Sequence, residues 1–267
     1  MVTRNLTLYP QGIAAAMPIL CNYKSGAIMY RVLVHIGIGG LSTRGDIARA
    51  IGLNISTRKS KDVSFRRISR ACHILEKELG LIEQKETKLN HGIKYFLLRL
   101  TTKGKAYCRK HFLWGKDIVM SDWDKLISWH NGENQGAHSA MVLNFAYHAR
   151  LRGWHALVMP RDTENNTRPD VLISNDKNEF YIEVERKGCR TKLKPQKWAN
   201  QFKTQNSISA CYASMCAAQN AVATFIIMGY ATFQVTSLEY LQKNAYGQSN
   251  GLHRRLWQFT SKEIFNV

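Results

Sequence analysis

Asp170, preceded by Arg168 and Pro169, is followed fifteen residues later by Glu185, within the run Phe180-Tyr181-Ile182-Glu183-Val184-Glu185-Arg186-Lys187. Read as a strand, that run has a period of two, which sends Phe180, Ile182 and Val184 to one face and Tyr181, Glu183, Glu185 and Lys187 to the other. Carboxylates lined up beside a buried surface repel one another unless a hard divalent cation sits among them, and a neighbouring lysine then pairs with a phosphate. Asp170, Glu183 and Glu185 are therefore the candidate ligands for Mg²⁺ or Mn²⁺. Together with Lys187 they are the candidate catalytic residues, and the chemistry they suggest is metal-assisted cleavage of a phosphodiester.

The elements that must position these residues begin at about Ala137. A helix is expected from Ala137 to Arg152 and ends at Gly153, with His138 near its start as an accessory residue. Strands follow at Trp154–Val158, Val171–Ile173 and Glu179–Glu185, the last two joined by the turn Asn175-Asp176-Lys177-Asn178. Pro195 opens a helix to about Ser207, with an extension to Ala218, and the uncharged run Ala223–Met228 suits a strand buried on both faces. Trp154 and Trp198 read as core. From Arg186 the run Lys187, Arg190, Lys192, Lys194, Lys197 and Lys203 contains no acid, and Arg190, Lys192, Lys194 and Lys197 are candidate clamps on a DNA backbone.

The order of helix, three strands, helix and buried strand, with a proline-aspartate pair and a glutamate-x-lysine pair, resembles the PD-(D/E)xK nuclease superfamily. That resemblance implies that Asp170 and Glu185 hold the metal while Lys187 orients water and offsets charge on the transition state. A second register takes Glu183 as the acidic member and puts Glu185 in the lysine position, a glutamate-x-glutamate variant of the same superfamily.

The front half reads differently. Helices are expected at Ala27–Ile36 and from Ser42-Thr43 through Ile51, ending at Gly52. A long helix spans Asp62–Leu79, where Phe65, Ile68, Cys72, Leu75 and Leu79 mark the buried face. Arg66, Arg70, His73 and Lys77 lie opposite that stripe, and Arg58, Lys59 and Lys61 extend the basic surface. Strands at Leu81–Gln84 and Tyr95–Leu100, turned at Asn90-His91-Gly92, carry Lys85, Lys88 and Lys94, and a closing helix begins at Thr101. Residues 26–112 resemble the winged helix-turn-helix family, which implies that the long helix enters a groove of double-stranded DNA. The candidate DNA contacts here are Arg58, Lys59, Lys61, Arg66, Arg70, His73, Lys77, Lys88 and Lys94.

Charge divides in the same way. The chain of 267 residues has 38 Lys and Arg against 19 Asp and Glu. Residues 1–116 hold 21 basic and 6 acidic side chains, a net of +15, whereas 117–267 hold 17 and 13, a net of +4. A surplus so concentrated self-repels unless a polyanion takes it up. No apolar run is long enough to span a membrane, and a cytoplasmic protein is expected. The six cysteines form no C-x-x-C pair and are expected to be reduced thiols.

The fold class expected is α/β: an N-terminal winged helix-turn-helix domain (1–116), an aromatic linker (117–135) and a restriction-endonuclease-like core with a mixed sheet (136–267). The pairing of the two modules, with Arg-Pro-Asp and Glu-Val-Glu-Arg, also resembles the replication-relaxation proteins of mobile elements, with Glu185 where those carry aspartate. The expectation is a metal-dependent endonuclease or nickase of a mobile element or phage. Its partners would be double-stranded DNA and either a second copy or recombination and replication proteins. The alternatives are a non-catalytic DNA-binding regulator with a nuclease-like fold, and the endonuclease subunit of a transposase.

Overall fold

A computed structural model describes residues 18–55, 57–88, 94–111, 118–130, 134–160, 169–186, 194–245 and 254–265. After a helical turn at Pro18–Cys21 come α1 (Gly26–Gly37), α2 (Arg44–Ala50) and α3 (Arg58–His73), the last continued by a π-helical turn at Ile74–Glu78. Thr43 starts α2 by accepting from the Asp46 N–H, and Thr57 and Ser60 cap α3 reciprocally. Gly80 then turns the chain at φ +64°, a region that side chains with a Cβ avoid, into the antiparallel hairpin β1 (Ile82–Lys88) and β2 (Lys94–Leu100). Helix α4 (Thr102–His111) closes this part. Ile68, Cys72 and Leu75 of α3 and its π-helical continuation are fully buried with Val32, Leu33 and Ile36 of α1, as the spacing predicts. The hairpin tip at 90–92 lies outside the described residues.

Residues 117–135 contain a helix where a linker was expected: α5 (Asp122–His130), with Trp123 and Leu126 buried. Its Trp123 N–H donates to Ser42 Oγ at 2.9 Å. Arg150, at the end of α6 (Gly136–Leu151), reaches Asp46 of α2 at 2.9 Å and Asp122 of α5 at 3.0 Å, and also donates to the Ala156 carbonyl. Burial alone would lower the Arg150 pKa, but the two aspartates outweigh it and raise it. At Gly45 the backbone of α2 comes so close to α6 that a Cβ would stand 2.8 Å from the Tyr147 ring. The front and back parts are thus joined by a buried charge clasp and close packing.

The back part is built on a mixed sheet of six strands in the order β3 (His155–Val158), β4 (Val171–Ser174), β5 (Glu179–Glu185), β6 (Ile208–Tyr212), β7 (Phe233–Ser237) and β8 (Phe259–Thr260). The first three are antiparallel, β5, β6 and β7 run parallel, and β8 is antiparallel to β7. On β6, Cys211 packs into the cluster with α6, whereas Ile208, Ala210 and Tyr212 pack with Trp198, Ala218 and Phe225. Alternate residues of one strand therefore serve two cores, which makes the sheet a central layer. One core holds α6; the other holds α7 (Lys194–Gln205) and α8 (Met215–Ile227). Helices α9 (Leu238–Lys243) and α10 (Ser261–Phe265) complete the chain. Trp198 is buried, and Trp154 packs partly buried on the other core.

The expected strand at Ala223–Met228 is not one. Those residues are the last turns of α8, which Ser214 caps by accepting from the Ala217 N–H, and the immediately following Met228. Only Phe225 turns inward, while Ile227 is 85% exposed. The strand buried on both faces is Ile208–Tyr212, every residue of which is buried, so the extension of the preceding helix to Ala218 is also corrected. The described cysteines are free thiols, with Cys72, Cys108 and Cys211 buried and Cys21 and Cys216 exposed. Among the described residues no helix is long and apolar enough to cross a membrane.

Candidate active site

The antiparallel register pairs Val171 with Ile182, so Asp170, one residue before β4, stands beside Glu183. Ile182 and Val184 are buried, which leaves Glu183 and Glu185 together on the opposite face of β5 with side chains 17% and 12% exposed. The parallel neighbours of Glu183 and Glu185 on β6 are Ala210 and Tyr212. Strand β5 ends at Glu185, and the described residues continue to Arg186.

Asp170 is 3% exposed and both its oxygens are used. The Val184 N–H donates to Oδ2 at 2.8 Å, and His138 Nε2, from the first turn of α6, lies 3.1 Å from Oδ1. Burial raises the Asp170 pKa, but the hydrogen bond and charge of His138, the Val184 N–H and the Lys197 charge together hold it below the ordinary carboxylate range. An ionised carboxylate has no proton to give, so the imidazole carries its proton on Nε2.

Across the two glutamates lies Lys197, from the first turn of α7. Its ammonium is 2.6 Å from Glu183 Oε2 and 3.0 Å from Glu185 Oε1. Helix α7 is held in place by Trp198, whose ring meets Phe225 at 5.2 Å, and by Gln201, which donates to the Tyr181 and Ser209 carbonyls of β5 and β6. Gln201 is one turn beyond Lys197 and on the same helix face, so anchoring it aims the lysine at β5. Burial pushes the Glu183 pKa up to about 7; Lys197 opposes that shift, while Asp170 and Glu185 add to it. Burial opposes the charge on Lys197, but Glu183 and Glu185 outweigh it and raise its pKa.

Of the residues expected at the site, Asp170, Glu183, Glu185 and His138 come together. Lys187 lies outside the described residues. Lys197, expected as a clamp on DNA phosphates, instead grips the two glutamates. Its place next to Trp198, read as core, signalled nearness to the buried face but not what it meets there. Arg190 and Lys192, with the side chains of Arg58, Lys94 and Lys194, also lie outside the described residues. Lys59, Arg66, Arg70, His73, Lys77 and Lys88 are exposed and Lys61 is half-buried, so the outward face of α3 is basic as its spacing predicts.

No family model, curated protein or solved structure matches this chain. Its chemistry therefore rests on the cluster itself.

Donor type and charge decide whether a divalent cation suits these residues. Three carboxylates are the oxygen donors Mg²⁺ and Mn²⁺ take. The raised Glu183 pKa comes first from burial, with smaller contributions from the Asp170 and Glu185 charges, and Lys197 opposes it. Among the described residues no group of three or more His, Cys, Asp or Glu side chains could hold a metal ion as it stands, and the Lys197 ammonium lies against both glutamates. The donor set fits the ion in kind and charge, and the ammonium and a cation compete for the same oxygens.

Proposed function

We propose that this chain is a DNA-binding endonuclease or nickase dependent on Mg²⁺ or Mn²⁺, whose front part holds duplex DNA while the acidic cluster of the back part hydrolyses a phosphodiester. The observation that carries the reading is the meeting of Asp170, Glu183 and Glu185 with Lys197, on the order α6-β3-β4-β5-α7-β6. That order, with β5 and β6 parallel, supports the resemblance to the PD-(D/E)xK superfamily. The order α1-α2-α3-hairpin-α4 and the exposed cations of α3 likewise support a winged helix-turn-helix that meets phosphates with Arg66 and Arg70 and offers α3 to a groove.

Asp170 and Glu183, with Glu185 as a further donor, would hold the ion. Bound there, it supplies Lewis-acid polarisation of the phosphodiester and eases the deprotonation of water. The chain's own residues do the rest. His138 and the Val184 N–H fix the direction of the Asp170 carboxylate. Glu183, whose pKa burial raises to about 7 in the metal-free site, would bind the ion as the carboxylate, so that proton and metal compete for it near neutral pH. With a metal on the glutamates, Lys197 would supply the cation that Lys187 was expected to supply and offset charge on the phosphate. In this reading Glu183 is the principal acidic ligand and Glu185 takes the lysine position of the resemblance.

One observation favours a second reading, a non-catalytic DNA-binding protein on the same fold: Lys197 already neutralises the glutamates without a metal. Incubation of supercoiled plasmid with Mg²⁺ or Mn²⁺ separates the two. Wild type should nick or linearise the plasmid, and Asp170→Ala and Glu183→Ala should lose at least about a hundredfold in rate while still binding DNA. Binding without cutting by the wild type, alone and with either metal, would leave the second reading or a transposase subunit that needs partners.

A further inference from the structure

We infer that the outward face of α8, with the end of α10 beside it, is where two copies of this chain meet about a two-fold axis. Residues 204–238 contain no Asp, Glu, Lys, Arg or His, although 21% of the whole chain is charged. Burial accounts for that in β6 and most of β7, but not in α8, where Cys216, Gln219, Asn220, Ala223, Ile226 and Ile227 are exposed. Those positions recur at three and four residues and form one stripe along about 20 Å of helix. The solvent side of a surface helix ordinarily carries charge. Its loss, with apolar side chains left outward, is the mark of an interface core.

The stripe turns apolar toward its end. Ile227 is 85% exposed, and Ile226, Met228 and, on α10, Ile264 and Phe265 each expose more than a third of their surface. The two groups adjoin across Phe233, whose ring centroid lies 6.0 Å from that of Phe225 on α8 and 6.1 Å from that of Phe265. Together they present a few hundred Å² of apolar surface, the size at which a patch marks a docking site. Lys262 and Glu263 of α10 are exposed at its border and cancel in charge. Charge also selects the occupant. With 38 Lys and Arg against 19 Asp and Glu, two copies repel one another across their basic surfaces. On the stripe they do not, because neither brings a charge to it, and a two-fold pair sets the same uncharged patch against itself. A nucleic acid or an anionic membrane would find no cation along the stripe to hold it. The position leaves the rest of the molecule free. Tyr212, the neighbour of Glu185, pairs with Ser237 at the ends of β6 and β7, whereas Ile208 pairs with Phe233 at their starts. Helix α8 runs from the first end back to the second, so the apolar patch lies at the edge of the sheet away from the acidic cluster. A pair formed there keeps both clusters open. A standard interface takes about 800 Å² from each partner, so a patch of this size suits a reversible dimer with a micromolar Kd.

The test is sedimentation velocity of the full chain, freed of nucleic acid, in EDTA at about 1 to 100 µM and at about 0.1 and 0.5 M NaCl. A monomer–dimer equilibrium is expected, at least as tight at the higher salt, where repulsion between the copies is screened. Ile227→Glu should raise its Kd at least about a hundredfold, since the axis brings two new carboxylates into one interface. The side chain of Ile227 is almost wholly in solvent, so the variant keeps its fold, which thermal melts check. Met120→Glu, at an exposed apolar residue outside the patch, should leave the dimer unchanged. A wild type that is monomeric at about 100 µM in both salts, a dimer that dissociates as salt rises, or a dimer unaffected by Ile227→Glu overturns the proposal. Equal loss of the dimer in Met120→Glu overturns it as well, by taking the contact off α8.

Discussion

Replacing Glu183 by glutamine should stabilise the protein in alkaline solution and leave it unchanged in acid. The Glu183 pKa is raised from 4.5 to about 7, chiefly by burial. A raised acid binds more protons folded than unfolded. Its contribution to stability is therefore complete below 4.5 and is lost as pH climbs through about 7. The difference between 4.5 and about 7, at about 1.36 kcal/mol for each pH unit, amounts to about 3 kcal/mol. Glutamine is nearly isosteric with the protonated acid, keeps an oxygen toward Lys197 and has no charge to desolvate. Urea unfolding in EDTA, followed by tryptophan fluorescence at half-unit steps from pH 4.5 to 8.5, should give coincident stabilities near pH 4.5. A gap of up to about 3 kcal/mol in favour of the variant should open through neutrality and level off by about pH 8. A gap that does not vary with pH, or a variant less stable than wild type at pH 8.5, would refute the assignment of Glu183 as a carboxylate whose ionised form burial disfavours.

Four further outcomes follow from the same geometry. Lys197→Met should leave the glutamates without their cation, lower the Tm at pH 8 more than at pH 5, and give a larger Mg²⁺-induced rise in Tm than wild type, as read by differential scanning calorimetry; equal Mg²⁺ responses would contradict competition for the same oxygens. Plasmid cleavage at limiting Mg²⁺ should rise between pH 6 and 8, because the proton that Glu183 holds up to about pH 7 in the metal-free site competes with the ion, and a rate that falls over that interval would remove Glu183 from the role of ligand. Arg70→Ala should reduce the slope of log binding constant against log salt by about 0.9 in a fluorescence anisotropy titration on duplex DNA, and an unchanged slope would take α3 off the phosphates. Arg150→Met should cost about 3–5 kcal/mol in urea unfolding, because it takes the ion-pair partner from the buried Asp46 carboxylate and leaves Asp122 with Lys125 alone.

The chemistry-bearing residues were legible because the period of a strand is short and strict. Ile182 and Val184 had to be buried together, and Glu183 and Glu185 then had no choice but to share the other face. The basic side of α3 was legible for the same reason at a period of 3.6, with Ile68, Cys72 and Leu75 on the core and Arg66, Arg70 and His73 outward. The segment after α7 was misread because composition there is ambiguous. Ile208–Tyr212 carries Ser209, Ala210 and Cys211, which have little strand preference, whereas Ala223–Met228 looks like a buried strand and belongs mostly to a helix. The slot between β5 and β7 was taken by Ile208–Tyr212, with Ile208, Ala210 and Tyr212 packing on one side and Cys211 on the other, an outcome set by the packing of the two cores rather than by the segment's own composition.

By itself, then, the order of residues determined which groups share a face: that Asp170 leads a strand, that two glutamates flank Val184, and that the cations of the front half line one side of a helix. Only the tertiary structure decided what meets those groups across the gaps between elements. The antiparallel register brings Asp170 beside Glu183, α6 delivers His138, and α7, held by Trp198 and Gln201, lays Lys197 on both carboxylates. Periodicity is a property of the local backbone and can be read from one segment. The partner of a charged side chain depends on which distant segment packs against it, and packing is set by the whole core.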